Sequence, residues 1–175
     1  MDKHQQTTVC PGCGLVLPAS GFPHPDRFNA SGECWQLFSD LSGYTVARQD
    51  PAFVHQHVVD AYEAQHAGSR TKNITVAFGL IGLYLALEKG YTGKEIQRAH
   101  MQLANVRKDW PRLDPPLRPV SITVRNVLMA AEGPARDAMI RAWMAAVWEG
   151  WADRQQWVRE TTDALLARGR ERPRH

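Results

Sequence analysis

Two cysteines near the amino terminus are the most specific chemical signal in the chain. Cys10 and Cys13 are separated by two residues in the segment Cys-Pro-Gly-Cys-Gly. This spacing lets both thiolates reach one tetrahedral zinc ion, and Gly12 and Gly14 permit the tight turn between them. The sequence therefore predicts a zinc site. The alternatives are two reduced surface thiols, or a redox pair, although no βαβ pattern surrounds the motif.

A zinc site needs further ligands, and the chain has no second Cys-x-x-Cys pair. We expect Cys34 to be the third ligand, because it lies in the first turn of a predicted helix, where the positive end of the helix dipole favours a thiolate. The other interpretation of Cys34 is a small buried apolar residue. Histidine supplies the remaining candidates, with His66 and His55 preferred over His24, His57 and His100.

The geometry of one predicted helix limits the use of these histidines. His55 and His66 share a face of that helix but lie 11 residues apart, roughly 16 Å along its axis. A straight helix cannot bring both to one metal ion, so at most one of them completes the site. Four protein ligands would indicate a structural zinc, whereas three would leave a position for a catalytic water.

Asp60 and Tyr62 place hydrogen-bonding groups on the same predicted helix. A carboxylate beside an imidazole can orient the ring or change its basicity, which suits support of a metal or general acid–base catalysis. The alternative is the polar edge of an amphipathic helix. His100 is the third catalytic candidate, although a histidine on the apolar side of a helix is more often a core residue.

The elements that must position these residues are predicted to be helical. Residues 9–30 are rich in Pro and Gly and indicate an ordered loop, and no strand alternation follows. Capping residues and breakers predict helices that begin near Ser31, Pro51, Asn73, Thr92 and Thr123, and a long helical stretch from Pro134 to about Ala167. Residues 73–89 are apolar nearly all round, as is typical of a buried helix. We therefore predict an all-α bundle of five to six helices around this central helix, with the cysteine loop laid over it.

Composition and charge limit the number of domains and the classes of partner that the chain can have. A chain of 175 residues with 43% hydrophobic residues is sized for one domain, which we place at 1–167, followed by a disordered basic tail at 168–175. The tail carries the net charge of +3, because basic and acidic side chains are equal in number before residue 168. A neutral body argues against nucleic acid binding. The longest apolar run, 74–87, is too short to span a bilayer, so we expect a cytoplasmic protein with no membrane partner.

The order of several segments resembles a bacterial family of small proteins of unknown function. These segments are Cys10–Gly14, Ser31–Trp35, His55–His66, Gly82–Gly90 and Ala99–Met101. The resemblance implies that the three cysteines, His55, Asp60, Tyr62, Gln65, His66 and His100 belong to a shared pattern, but it implies no particular activity.

A second resemblance is to small zinc-containing proteins of sulfur-nucleoside antibiotic biosynthesis. It implies that the chain handles cysteine sulfur with pyridoxal phosphate. Lys72 or Lys94, which lie near predicted helix N-termini, would then hold the cofactor, and Cys34 would carry a persulfide. The alternative for each lysine is a solvated surface residue.

Three functions are therefore considered. The leading hypothesis is a zinc-binding enzyme that acts on a small-molecule substrate. The second is the pyridoxal-phosphate-dependent sulfur-transfer enzyme. The third is a non-catalytic, zinc-stabilised module that binds a partner through exposed Trp148 or Trp157 on the C-terminal helix. The sequence leaves open whether the protein is a monomer or a homodimer.

Overall fold

The computed structural model describes residues 6–117 and 119–171. The described chain is mostly helical, as predicted, with one small two-stranded sheet. A short 3-10 helix at Ala152–Arg154 separates the last two helices. The elements are β1 (Thr7–Val9), β2 (Val16–Pro18), α1 (Gly32–Ala47), α2 (His55–Gln65), α3 (Asn73–Lys89), α4 (Gly93–Val106), α5 (Val124–Met129), α6 (Pro134–Gly150) and α7 (Gln155–Glu171).

The cysteine loop, predicted as an ordered loop, folds as a small antiparallel hairpin with two short strands. β1 pairs with β2 so that Val9 lies opposite Val16. The Cys10 N–H donates to the Leu15 carbonyl over 2.9 Å, and the Gly14 N–H donates to the Cys10 carbonyl over 2.9 Å. Three-residue strands are too short to show an alternating pattern, which is why the sequence did not reveal them.

The helix α1 carries one predicted ligand in its first turn. Its cap is Ser31, whose hydroxyl accepts a hydrogen bond from the Cys34 N–H over 3.1 Å. The helix passes through Gly43 and ends at Ala47. One glycine inside a helix costs only about 1 kcal/mol, and buried Leu41 and Thr45 anchor this part of α1 in the core.

The buried helix α3 occupies the predicted range, and α2 packs closely against it. A Cβ atom at Gly79 would lie 2.9 Å from the Asp60 carbonyl oxygen, and one at Gly82 would lie 2.0 Å from Asp60 Oδ2. The two glycines therefore form a shallow depression in α3 that receives α2. This contact fixes the direction in which the candidate site residues of α2 project.

The C-terminal region differs from the single long helix that was predicted. The chain turns at buried Trp151, so that α6 and α7 are separate helices. Trp143 is fully buried, and its indole N–H donates to Gln65 Oε1 over 2.8 Å, which ties α6 to α2. α7 extends to residue 171 and so includes the first residues of the predicted tail, whereas 172–175 lie outside the described residues.

None of the helices in residues 6–117 and 119–171 combines the length and the apolar character needed to cross a bilayer.

Candidate metal centre

Three cysteines and one histidine converge in the interior of the protein. One ligand atom from each of Cys10, Cys13, Cys34 and His66 lies within 4.8 Å of all the others. All four residues are buried, with exposed fractions of 3% or less, and the cysteines are free thiols. The structure therefore brings together four of the five metal ligands that the sequence suggested.

Two of the distances within this group are those of a tetrahedral zinc site. The Sγ atoms of Cys13 and Cys34 are 3.8 Å apart, and Cys34 Sγ lies 3.4 Å from His66 Nε2. Zinc bonds of about 2.3 Å to sulfur and about 2.0 Å to nitrogen imply tetrahedral edges of about 3.8 Å and about 3.5 Å, respectively. The Cys3His group could thus hold a metal such as zinc.

The orientation of the His66 ring is fixed by its own helix. His66 Nδ1 lies 2.9 Å from the Tyr62 carbonyl oxygen, which can only accept, so Nδ1 carries the proton. The other ring nitrogen, Nε2, then presents its lone pair next to the Cys34 thiol. A metal-binding histidine commonly has this arrangement, in which a backbone carbonyl sets the tautomer.

A glycine in the hairpin allows the turn to approach His66 closely. A Cβ atom at Gly12 would lie 2.4 Å from the Asn29 carbonyl oxygen and 2.6 Å from His66 Cδ2. The Asn29 N–H in turn donates to the His66 carbonyl over 3.1 Å. The hairpin, the loop that follows it and the end of α2 therefore meet at the same point.

The three thiols cannot all ionise without a cation. Hydrogen bonds from Cys13 and Cys34 lower the pKa of the Cys10 thiol. The hydrogen bond to Cys10 raises the pKa of Cys13 to about 12. Hydrogen bonding to Cys10 and Cys13, together with burial, raises the pKa of Cys34 above its usual range. A divalent metal ion would relieve the repulsion among three thiolates.

Tyr62, a predicted catalytic residue, contacts this group directly. Its hydroxyl donates to Cys34 Sγ over 3.6 Å, and its ring stacks on the His66 ring with 3.8 Å between centroids. The side chain is fully buried, and burial raises the pKa of the phenol above its usual range. The phenol therefore acts as a hydrogen-bond donor to the Cys34 sulfur.

The other two catalytic candidates make their contacts elsewhere. His100 Nε2 donates to the Phe78 carbonyl over 3.1 Å, and burial lowers the pKa of the imidazole to about 4. Asp60 is fully buried between α2 and α3, and its Oδ1 accepts from Gln56 Nε2 over 2.9 Å. Within the described part of the chain, Asp60 Oδ2 has no hydrogen-bond partner. Burial raises the pKa of this carboxyl well above its usual range.

The fifth suggested metal ligand, His55, lies apart from the four. It begins α2, and its Nδ1 is 2.9 Å from the Thr45 hydroxyl of α1. Burial lowers the pKa of its imidazole. The axial separation of about 16 Å between His55 and His66 already predicted that one helix cannot supply both.

The two lysines suggested to hold pyridoxal phosphate lie on the surface of the protein. Lys72 caps α3 and Lys94 lies in the first turn of α4, and both are exposed. The ammonium of Lys94 lies over the Phe53 ring, 5.8 Å from its centroid. Cys34, the suggested persulfide carrier, has no exposed surface. These placements give no support to the cofactor.

A pocket beside the metal centre was not predicted from the sequence. It has a volume of about 560 Å³ and lies between α1 and α2. Glu63 lines it, and burial raises the pKa of this carboxyl to about 8 despite the opposing effect of Arg27. The sequence feature that could have indicated this pocket is the i, i+4, i+8 spacing of His55, Val59 and Glu63 on one helix face. The lining residues are Arg27, Phe28, Trp35, Phe38, Ser42, Gly43, Val46, Ala47, His55, Val59 and Glu63.

Comparison with known proteins identifies a family but no characterised relative. Neither a curated protein nor a solved structure matches the chain. A sequence model described as a family of unknown function, DUF5946, matches residues 8–152. The matched range contains all four residues of the Cys3His group and both helices of the pocket. The chain therefore belongs to the family of unknown function DUF5946.

Proposed function

We propose that the Cys3His group holds a structural zinc ion that fastens the N-terminal hairpin to α1 and α2. The observation that carries this proposal is the presence of four buried protein donors within 4.8 Å of one another. Four protein ligands complete a tetrahedral zinc site and leave no position for a reactive water.

The elements that the ion would join support a structural role. Cys10 and Cys13 belong to the hairpin, Cys34 lies in the first turn of α1, and His66 caps the end of α2. The hairpin strands have only three residues each, and an isolated two-stranded hairpin is at best marginally stable. A metal ion bound by all three elements would supply the stability that this sheet lacks.

This proposal favours the zinc-stabilised module over the zinc enzyme. Asp60 and His100, two of the candidate catalytic groups, hydrogen-bond to Gln56 and to a backbone carbonyl and are not part of the donor set. The partner surface suggested for that module needs revision, because Trp148 is buried and donates its indole N–H to Glu88. Trp157 is only partly buried.

Metal analysis of the purified protein and three variants tests the proposal. We expect stoichiometric zinc in the wild type, and its loss in Cys34→Ser and His66→Asn. His55→Gln is the matched control, because His55 begins the same helix but hydrogen-bonds to Thr45 instead, and it should keep the metal. A wild type without stoichiometric metal would overturn the proposal, as would retention of zinc by both ligand variants.

A second measurement covers the case in which the ligand variants fail to fold. Cobalt substituted into the wild-type protein should give the intense d–d absorption of a tetrahedral ion and the sulfur-to-metal charge-transfer bands of bound thiolates. A weak octahedral spectrum would contradict a closed Cys3His site.

A further inference from the structure

The pocket between α1 and α2 has the form of a lined binding site separate from the metal centre. Trp35, Phe38 and Ser42 follow one another at i, i+3 and i+7 on α1, and His55 and Glu63 stand at i and i+8 on α2. Each helix thus presents one face to the same space. A volume of about 560 Å³ lies in the range of small-molecule pockets.

One wall of the pocket is aromatic. The rings of Phe28 and Trp35 stack with 5.2 Å between their centroids, and Trp35 and Phe38 are 5.3 Å apart. Aromatic faces carry negative electrostatic potential and attract cations as well as apolar groups. This wall therefore suits the hydrocarbon or aromatic body of a ligand. It also suits the part of the ligand that adjoins a positively charged group.

One end of the pocket offers a hydrogen-bond acceptor on His55. The single hydroxyl hydrogen of Thr45 is directed at the carbonyl oxygens of Leu41 and Ser42, at 3.1 Å and 3.2 Å. The Thr45 oxygen must therefore accept from His55 Nδ1, which lies 2.9 Å away. The proton of the neutral ring is thus on Nδ1, and Nε2 keeps its lone pair.

The other end of the pocket offers the carboxyl group of Glu63. Among the described residues, the ion pairs within 4.0 Å do not include Glu63. Arg27 also lines the pocket, but it is exposed at the mouth, where water screens its charge. A partly buried carboxyl without a close cation is costly unless a ligand supplies one.

A third polar group in the same wall also lacks a partner. Ser42 Oγ is buried and makes no hydrogen bond within the described part of the chain. Native proteins leave few such atoms without a partner, so a buried hydroxyl in a pocket wall is available to bond a ligand. The polar groups of the pocket are therefore incompletely satisfied by the protein itself.

We propose that this pocket binds a small organic amine, whose ammonium group contacts Glu63 and whose aromatic or hydrocarbon body lies against Trp35 and Phe38. A polar hydrogen at the far end of the ligand donates to His55 Nε2. The Cα atoms of His55 and Glu63 are about 12 Å apart along the helix axis, so the ligand is elongated. An anion would meet the acidic group of Glu63 and the acceptor on His55, with only the exposed, water-screened charge of Arg27 to attract it. A neutral hydrocarbon would leave both polar ends without partners.

Calorimetric titration of the full-length, metal-loaded protein with three matched probes tests this inference. Tyramine carries an ammonium group and a phenol, para-ethylphenol lacks the ammonium group, and para-hydroxyphenylpropionate replaces it with a carboxylate. The buffer is kept above the pKa of Glu63, about 8. We expect tyramine to bind at least about tenfold more tightly than either other probe, as is usual for a desolvated charged hydrogen bond.

Two variants test how each end of the pocket contributes to the preference for tyramine. Glu63→Gln keeps the shape of the side chain and should bring tyramine to within about twofold of para-ethylphenol. Glu160→Gln is the matched control, because Glu160 is exposed on α7 and does not line the pocket, and it should keep the wild-type preference. His55→Phe should remove the preference for tyramine over phenethylamine, which lacks the phenol hydroxyl.

Several outcomes would overturn the inference. They are equal binding of the three probes, tightest binding of the carboxylate, a tyramine preference that survives Glu63→Gln, or no binding at millimolar concentration. Zinc content is measured separately on the same samples. Failure of the amine-binding proposal is thus distinguished from failure of the zinc proposal.

Discussion

His66 Nε2 lies 3.4 Å from the Sγ atom of Cys34, although the two residues are 32 positions apart in the chain. The contact joins the end of α2 to the first turn of α1. Both partners are oriented by their own backbone surroundings: the Cys34 N–H is bonded to Ser31, and the His66 ring is bonded to the Tyr62 carbonyl. This arrangement of the two side chains would lower the entropic cost of forming a metal site.

Removal of the metal should destabilise the whole domain. We expect a strong chelator to lower the free energy of unfolding by at least ~3 kcal/mol, the effect of a ligand present at about 100 times its Kd. The physical reason is that the ion binds the folded arrangement of three separate elements and not the unfolded chain. Thermal unfolding with and without chelator measures the change. Complete loss of zinc with an unchanged Tm would contradict the structural role.

Substitution of Gly12 should disrupt the approach of the hairpin to α2. In Gly12→Ala the new methyl group would lie 2.4 Å from the Asn29 carbonyl and 2.6 Å from the His66 ring, so the turn must move away. We expect a loss of about 2 kcal/mol in stability and faster transfer of zinc to a competing chelator. Denaturant titration and a chelator-exchange assay measure the two effects.

Gly43→Ala is the control for this substitution. A Cβ atom at Gly43 meets no other atom within 4 Å, and the residue lies inside α1, where alanine is the better helix former. This variant should gain about 0.5–1 kcal/mol and keep its zinc exchange rate. Equal behaviour of the two variants would exclude the close contact at Gly12 as the cause.

The buried carboxyl of Asp60 should make stability fall as pH rises. Burial raises the pKa of this group in the folded state, so between the unfolded value, about 4, and the folded value the native chain binds the extra proton. Stability then decreases with pH in that window, with a limiting slope of ~1.4 kcal/mol per pH unit. Asp60→Asn should flatten this slope and raise stability at neutral pH, as measured by urea denaturation across the window.

Asp40→Asn provides the matched control for Asp60. Asp40 accepts a hydrogen bond from Gln36 four residues earlier, just as Asp60 accepts from Gln56, but Asp40 is exposed on α1. Its replacement should leave the pH dependence of stability unchanged. If Asp60→Asn instead lowers stability at neutral pH, the carboxyl is ionised and paired in the native protein.

The sequence was most informative where local rules decide the structure. The spacing of Cys10 and Cys13, the cap that places Cys34 in the first turn of α1 and the apolar segment of α3 were all predicted from neighbouring residues alone. Neighbouring residues did not decide between His55 and His66, because both lie on one helix face. Only the packing of α1 and the hairpin against α2 selects His66. The hairpin strands were too short for a pattern to show, and the pocket requires two helices whose contact is tertiary.

Loss of the Tyr62 hydroxyl should weaken the metal centre without removing it. The phenol donates to Cys34 Sγ over 3.6 Å. The Tyr62 ring independently stacks on His66, with 3.8 Å between centroids, and on Phe38, with 4.0 Å between centroids. Tyr62→Phe keeps the stacking and removes only the hydrogen bond. We expect a folded protein with stoichiometric zinc and an affinity for zinc that is about tenfold lower, as for other residues that support metal ligands.

Competition with a chromophoric chelator measures that affinity, and Tyr84→Phe is the control. Tyr84 is also a buried tyrosine, but its hydroxyl donates to Asp163, so its loss should leave zinc affinity unchanged. An equal effect of the two variants would mean that the Tyr62 hydroxyl acts through general stability. A tenfold loss of zinc affinity confined to Tyr62→Phe would instead show that this phenol stabilises the Cys34 thiolate. The physical reason is that a hydrogen bond to a ligand sulfur disperses its charge while leaving the coordination number unchanged.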